Sequence, residues 1–423
     1  MWIRLEGSLR IRREPEMRTT SWRSVALLAA ACVFAAGPGQ TLAQVRMAGP
    51  DPSPRELKLG AATESVPMER FDGWAIVQAL VNGKGPYRFV IDTGAPGLLI
   101  DSRFQQEMAL CAHPDLGGMG VRVRVAGPGG QGRPASMHFA ESLRIGNTEL
   151  LGLSVIATEL PFPTDLAGVI GMGVFKDCLL TLDYPASKVT LAPGELPAAN
   201  GRDILDFTQP RQARSIPVIA VEMCGAPAEF ALDSGMGGWG AFTEEIADRC
   251  TYAQGPVDGP RRRMVDREID TRVARLNGRM KFGAYTVERP YGAVSGDAGR
   301  AVIGSRILEN FAVTLDQRNS RVRFARQDTS PIVPPPCRLA GFRLQRGEEG
   351  FVVWGLMAGS PAERAGIRDG DVVVMINDKP VAEVYGLPAW DQLLQRDTLD
   401  IRYKPAGKTN QRHVELEVWE LLP

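Results

Sequence analysis

The feature that most constrains this chain is an internal repeat. Residues 169–192 (VIGMGVFKDCLLTLDYPASKVTLA) align without gaps on residues 302–325 (VIGSRILENFAVTLDQRNSRVRFA). Val169-Ile170-Gly171 falls on Val302-Ile303-Gly304, and Thr181-Leu182-Asp183 on Thr314-Leu315-Asp316. Upstream, residues 77–95 (VQALVNGKGPYRFVIDTGA) match residues 218–236 (VIAVEMCGAPAEFALDSGM), with Pro86, Phe89, Asp92 and Gly94 on Pro227, Phe230, Asp233 and Gly235. A repeat of this kind predicts two diverged copies of one unit, each about 130 residues and so of domain size. Both copies read as strands. Residues 71–81 are apolar and β-forming, residues 87–91 run into Asp92, and Val121-Arg122-Val123-Arg124-Val125 alternates before a glycine-rich turn, a hairpin pattern over 118–140. Residues 180–183 and 189–191 flank a Tyr184-Pro185-Ala186-Ser187 turn and predict a second hairpin.

Each copy places Asp-Thr/Ser-Gly directly after an apolar strand: Asp92-Thr93-Gly94 and Asp233-Ser234-Gly235. One such tripeptide is a weak signal; two at equivalent repeat positions are a strong one. Two carboxylates about 3 Å apart cannot both ionise, so they share a proton and their apparent pKa values split. The ionised member can take a proton from water while the protonated member hydrogen-bonds a carbonyl oxygen. Gly94 and Gly235 allow a sharp turn and close approach of the partner loop. The Thr93 and Ser234 hydroxyls can hydrogen-bond across the interface and hold both loops.

Phe89-Val90-Ile91-Asp92-Thr93-Gly94-Ala95, the hairpin after it, Gly168-Val169-Ile170-Gly171-Met172 and Leu182-Asp183-Tyr184-Pro185 resemble the retropepsin-like aspartyl peptidases of bacteria, over residues 66–326 in two copies. The resemblance implies a mainly β fold, two tandem β-barrel lobes with Asp92 and Asp233 as catalytic pair, Thr93, Gly94, Ser234 and Gly235 supporting them, and a peptide or unfolded protein as substrate. It implies no cofactor and no metal. Family members with one copy dimerise; here one chain supplies both aspartates. The departures are Met236, which is bulky and followed closely by Trp239, so that distortion of the second loop is expected; a hairpin without tyrosine; and a short stretch before the first strand where a prosegment would sit. They leave a second reading, a non-catalytic peptide-binding scaffold with degenerate lobes, and a third, an enzyme whose target is its own chain or one partner.

Beyond Pro331-Ile332-Val333-Pro334-Pro335-Pro336, a stiff extended linker, the pattern changes. Ser360 suits a helix N-cap, Pro361 the first helical position and Gly366 the position after the end. Val372 to Ile376 reads as a strand, residues 388–395 as a second helix, and residues 399–404 and 413–418 as strands. The string from Gly359 to Asp371 resembles a PDZ domain of the bacterial type, an α+β module over 338–423. The resemblance implies a peptide added as a strand, its terminal carboxylate held by a loop before Phe351, with Glu349, Gly350, Phe351 and Val352 as the binding loop. Glu348 and Glu349 would oppose a carboxylate there, and Arg346 can compensate.

The remaining signals bound the setting. Residues 25–36 form a 12-residue apolar run, too short for a transmembrane helix, between Arg18 and Arg23 and the small residues up to Ala43. This predicts a secretory signal over 1–43, with Met17 the better start, and hence an exported protein, periplasmic or secreted; acylation of Cys32 is the alternative. The expected order is then a linker at 44–65, lobes at 66–198 and 199–328, a proline-rich linker at 329–337 and the PDZ-like module. Five cysteines follow the signal: Cys224 with Cys250 can bridge, or all five can stay reduced. Lys plus Arg and Asp plus Glu are each 49, so nucleic acid is an unexpected partner, and three scattered His with no Cys-x-x-Cys pair argue against zinc. Arg261-Arg262-Arg263 reads as a solvated loop.

Overall fold

Strands dominate because apolar side chains recur at every second position. Leu179–Asp183 and Lys188–Ala192, for example, alternate buried with partly exposed residues along their length. The computed structural model describes residues 2–5, 51–60, 63–116, 122–126, 130–162, 165–209, 216–295, 300–347 and 350–423. The signal segment expected at 1–43 lies outside the described residues apart from a strand Trp2–Leu5, which pairs antiparallel with Arg122–Ala126.

In the first copy Lys84–Asp92 runs parallel to Gly168–Gly171 and antiparallel to Trp74–Val81. Leu143 and Arg144 of Arg133–Ile145 pair with Val81 and Leu80, which brings this sheet round on itself. The second copy repeats the arrangement at its centre: Ala226–Asp233 runs parallel to Ala301–Gly304 and antiparallel to Val218–Met223. The second copy returns in the same way, with a break at Asn277-Gly278: Glu222 and Met223 of Val218–Met223 pair with Lys281 and Met280 of Arg279–Phe282, which follows Glu268–Leu276. Its strands do not stop there. They continue into a platform shared with the first copy, in which Leu179–Asp183 lies antiparallel to Ala312–Asp316. There Thr181 faces Thr314, hydroxyl to hydroxyl at 2.9 Å. Two positions equivalent in the repeat thus face each other, which places a local two-fold axis between them. One apolar cluster runs through both copies; in it Phe311 meets Phe282, Tyr285 and Phe324 edge-on, and Phe282 meets Phe324 in the same way.

Residues 71–81 are not one strand. The chain turns at Asp72 and Gly73, both with positive φ, so that Glu69–Phe71 pairs back on Trp74–Val81. Asp-Gly is a favoured two-residue hairpin turn, and its signal lay inside the apolar run. Cys224 and Cys250 form a disulfide, while Cys111, Cys178 and Cys337 are free thiols.

The C-terminal module has its own core around Phe342, Leu344, Ile376, Leu399 and Ile401. Its strands lie in the order Arg343–Gly347, Gly350–Trp354, Val372–Ile376, Thr398–Lys404, Arg412–Glu417. Ser360 caps the helix Pro361–Arg364 by accepting from the Glu363 amide at 3.2 Å, and Gly366 beyond it has φ +86°. The linker is extended and also strapped down. Ile332 bridges to Val287, and the buried Arg275 donates to the carbonyls of Pro334 (3.3 Å) and Pro335 (2.8 Å). No helix of the described residues is long and apolar enough to cross a membrane.

Candidate active site

The two Asp loops are built alike from the strand upward. Asp92 ends Lys84–Asp92 and Asp233 ends Ala226–Asp233, and each carboxylate accepts from the amide two residues on: Gly94 N to Asp92 Oδ1 at 2.7 Å, Gly235 N to Asp233 Oδ1 at 2.9 Å. The Val-Ile-Gly strand passes beneath each loop. The Met172 amide donates to Ala95 O (2.8 Å) and the Gly171 amide to Gly97 O (3.0 Å); their counterparts join Ser305 N to Met236 O (2.9 Å) and Gly304 N to Trp239 O (3.1 Å). A Cβ on Gly171 would lie 2.5 Å from Ala95 O, and one on Gly304 2.2 Å from Gly238 O, so the loop backbone can cross only over glycine. Met236 therefore occupies the place of Ala95 and makes the same backbone contacts. The expected distortion of the second loop is absent, because the bonds run through main-chain atoms that side-chain bulk does not displace.

Thr93 and Ser234 lock the loops together. The Thr93 amide donates to Ser234 Oγ and the Ser234 amide to Thr93 Oγ1, both at 3.0 Å; the hydroxyls in turn donate to Leu232 O (2.7 Å) and Ile91 O (2.8 Å). Both side chains are buried, so each bond forms without competition from water. The glycines then face across the axis. A Cβ on Gly94 would stand 2.6 Å from Asp233 Cγ, and one on Gly235 2.4 Å from Asp92 Cγ. The two carboxyls are thereby brought face to face. Burial raises both above the usual carboxylate range, and for Asp92 the charge of Asp233 adds to it. Such a pair holds one proton between its members over a range that belongs to the pair. Trp74 Nε1 donates to Gly235 O at 2.8 Å and ties the first copy to the second loop.

Two hairpins, not one, rise beside the dyad. Arg122–Ala126 with Arg133–Ile145 forms the first, whose tip at 127–129 lies outside the described residues. Its counterpart, Tyr252–Arg263 with Glu268–Leu276, was not expected from sequence. Gly132 N donates to Asp266 Oδ2 at 2.8 Å, so the two tips meet. The arginine run belongs to this second hairpin and is not a solvated loop. Arg261 pairs with Asp270 at 3.1 Å, Arg263 pairs with Glu268, hydrogen-bonds Gln345 and stacks on the Trp354 ring at 4.1 Å, and Arg262 lines a cavity.

The PDZ-like module packs against this end of the cleft. Asp72 N donates to Gly386 O at 2.5 Å, Arg343 pairs with Asp72 at 3.2 Å, and Arg306 forms two bonds to Asp391 at 2.6 and 2.8 Å. Phe71 meets the Tyr385 ring edge-on at 6.2 Å. Replacing Arg306 by Ala is expected to loosen the module by about 1–2 kcal/mol, the solvent-facing side of Asp391 screening part of the pair. Hydrogen exchange at the Asp72 amide would quicken; unchanged exchange there would show that the Asp72–Gly386 bond, the Arg343–Asp72 pair and the Phe71–Tyr385 contact hold the module without Arg306.

The expected binding loop needs correction. Glu349 lies outside the described residues. Gly350, Phe351 and Val352 belong to an inner strand, with Phe351 opposite both Arg346 and Val373 and Val352 opposite both Gln345 and Val372. A strand with both edges paired cannot take a peptide. The sheet ends at Arg343–Gly347 on one side and Arg412–Glu417 on the other; the edge beside the cleft is Arg343–Gly347, where the Leu344 amide donates to the Tyr385 hydroxyl at 3.0 Å and Trp390 and Leu394 stand nearby.

Comparison with known proteins agrees with this division. Residues 77–184 match a family model described as aspartyl protease, and residues 352–402 one described as PDZ domain. A retropepsin-like aspartic protease from Rickettsia conorii is similar at 18% identity, covering 32% of this chain and 92% of that one, with a TM-score of 0.23. A PDZ domain protein from Parabacteroides distasonis is similar at 23% identity, covering 20% of this chain and 21% of that one, with a TM-score of 0.18. No curated protein matches the chain. The chain is thus mainly β, with an aspartyl protease-like segment in its first half and a PDZ domain near its end.

Proposed function

We propose that the chain is an aspartic-type endopeptidase in which Asp92 and Asp233 share one proton and activate a water against a peptide bond. The observation that carries this reading is that each loop's glycine lies against the other's carboxylate, which puts two buried carboxyls with raised pKa values face to face. The ionised member takes a proton from the water as its oxygen attacks the carbonyl carbon. The protonated member donates to the carbonyl oxygen, and the tetrahedral intermediate collapses as the amine leaves with a proton. An extended peptide lies beneath the paired hairpins, which hold bulk water away. The disulfide and the signal pattern at 17–43 support export to an oxidising compartment. The PDZ domain tethers substrate by strand addition at Arg343–Gly347 and raises its local concentration.

The pH dependence follows from the shared proton. Activity needs the singly protonated pair, so it falls at low pH when both carboxyls bind protons and at high pH when both lose them. Because burial raises both values, the active window sits above the range of free carboxylates. The test is to incubate the chain from Gln44 onward with an unfolded protein across this range and identify new termini by mass spectrometry. A hydroxyl-bearing mimic of the tetrahedral intermediate should bind tightly within the same window. A folded chain that neither cuts nor binds the mimic would overturn the proposal in favour of a scaffold.

A further inference from the structure

A cavity of about 650 Å³ opens beside the second Asp loop and runs between the copies and the PDZ domain. Gly237 and Gly238 line one side, the strand edge at Arg343 and Leu344 the other, and Arg262 reaches in from the second hairpin. Most of the charges around it are matched; among the described lining residues Arg70 and Arg262 are the exceptions, and of these Arg262 is the one beside the second Asp loop. Arg306 is bonded to Asp391 and Glu309, Arg343 to Asp72, and Arg263 to Glu268. Among the described residues no hydrogen bond or ion pair is made by the Arg262 side chain. Its Nη2 stands 3.4 Å from where a Cβ on Gly238 would be, so it lies close over the loop that carries Asp233.

Arg262 is half-buried at the cavity wall, and a half-buried guanidinium without a partner is a ready site for a carboxylate in fork geometry. The residues facing Arg262 are Asp72, Arg343 and Asp233. Asp72 is already engaged by Arg343 and by the Gly386 carbonyl through its own amide, and Asp233 by the dyad. The donors of Arg262 thus remain free for a ligand entering the cavity. Burial pushes the guanidinium pKa down and nearby Arg343 adds to this, while Asp72 and Asp233 oppose both; a bound anion would act in the same sense as these two.

We propose that Arg262 is a specificity-determining residue that binds a carboxylate of the peptide lying in the cleft, either an acidic side chain or the peptide's own C-terminus. This inference rests on the cleft being a peptide site but not on hydrolysis. An extended chain leaving the dyad along Gly237 and Gly238 meets Arg262 before it reaches the PDZ strand edge. The site therefore selects which peptides are held in register between the two modules.

The test uses the full chain carrying Asp92→Asn, so that binding is read without cleavage. Fluorescence anisotropy compares three peptides of one parent sequence: one with a single Glu and an amidated end, one with Gln and a free C-terminal carboxylate, one with Gln and an amidated end. At least one carboxylate peptide is expected to bind about tenfold or more tighter than the neutral peptide. Which of the two does so identifies the source of the carboxylate. Arg262→Gln should erase the difference, and Arg262→Lys, a charge without the fork, should keep only part of it. Equal binding of all three peptides, or a preference that survives Arg262→Gln, would overturn the proposal. If Arg262→Gln does not fold by thermal melting, an undiminished preference in Arg262→Lys would overturn it instead. A loss of cleavage equal for all three peptides with a shifted pH profile in the active chain would assign Arg262 to the dyad's electrostatics and also overturn it. A chain that shows the preference but cuts nothing would uphold this inference and sink hydrolysis.

Discussion

Asn in place of Asp92, or of Asp233, is expected to lower peptide hydrolysis by about three orders of magnitude or more while leaving the fold intact. The amide keeps an acceptor for the Gly94 or Gly235 amide, so the loop retains its local bond. It cannot take a proton from water or share one with its partner, so both roles of the dyad fail together. Stability should move the other way at high pH. A carboxyl whose folded pKa is raised contributes stability that is fully present below its unfolded pKa and is lost as pH rises through the folded value. Both dyad carboxyls are raised, so the parent loses stability across that upper range and the Asn variant loses less. Initial rates against one peptide, with melting curves at several pH values, check both halves. Activity within tenfold of the parent (about 1.4 kcal/mol of barrier) would remove the residue from the chemistry.

Gly94→Ala and Gly235→Ala should be nearly as damaging for a different reason. Neither glycine lies in the left-handed region, so alanine meets no backbone penalty. The added methyl instead meets the opposing carboxylate, at 2.6 to 2.7 Å from Asp233 atoms in one case and 2.4 to 2.6 Å from Asp92 atoms in the other. The carboxylate must move, and a shift approaching 1 Å costs about a hundredfold in rate. Overpacking should also cost about 1–3 kcal/mol of stability. Gly201→Ala is the control: its φ is +67° with open space around it, so it should lose stability through backbone strain and keep its rate. If the Gly94 and Gly201 variants lost activity alike, the close approach across the axis would not matter.

These expectations draw on signals of different reach. The paired Asp loops were legible because the repeat states them twice. Asp92 and Asp233 follow apolar strands, and the Val-Ile-Gly strand recurs at matching distance because only glycine can lie under the crossing loop. The role of Thr93 and Ser234 was legible as well, since a small hydroxyl at that position has few other uses. Met236 misled: side-chain size suggested distortion, but the loop is held by backbone atoms. The second hairpin was missed because Gly255, Gly259 and the register shifts within Tyr252–Arg263 break strict alternation. The Asp72-Gly73 turn was hidden in an apolar stretch, although it places Asp72 against the PDZ domain.

By itself, the sequence determined the strand-rich repeat, the two Asp loops, the glycines beneath them and the capped PDZ helix. Each is a short-range demand of backbone geometry that few residue types meet. Tertiary structure alone decided which strands of the PDZ domain lie at the sheet's edges, because edge status depends on sheet order and not on the strand's own residues. It also decided that Arg343 would reach Asp72 and that Arg306 would reach Asp391, contacts between residues far apart in the chain. The same holds for Arg262. An arginine in a basic run looks solvated until the packing of three modules closes a cavity around it and leaves its donors without a partner.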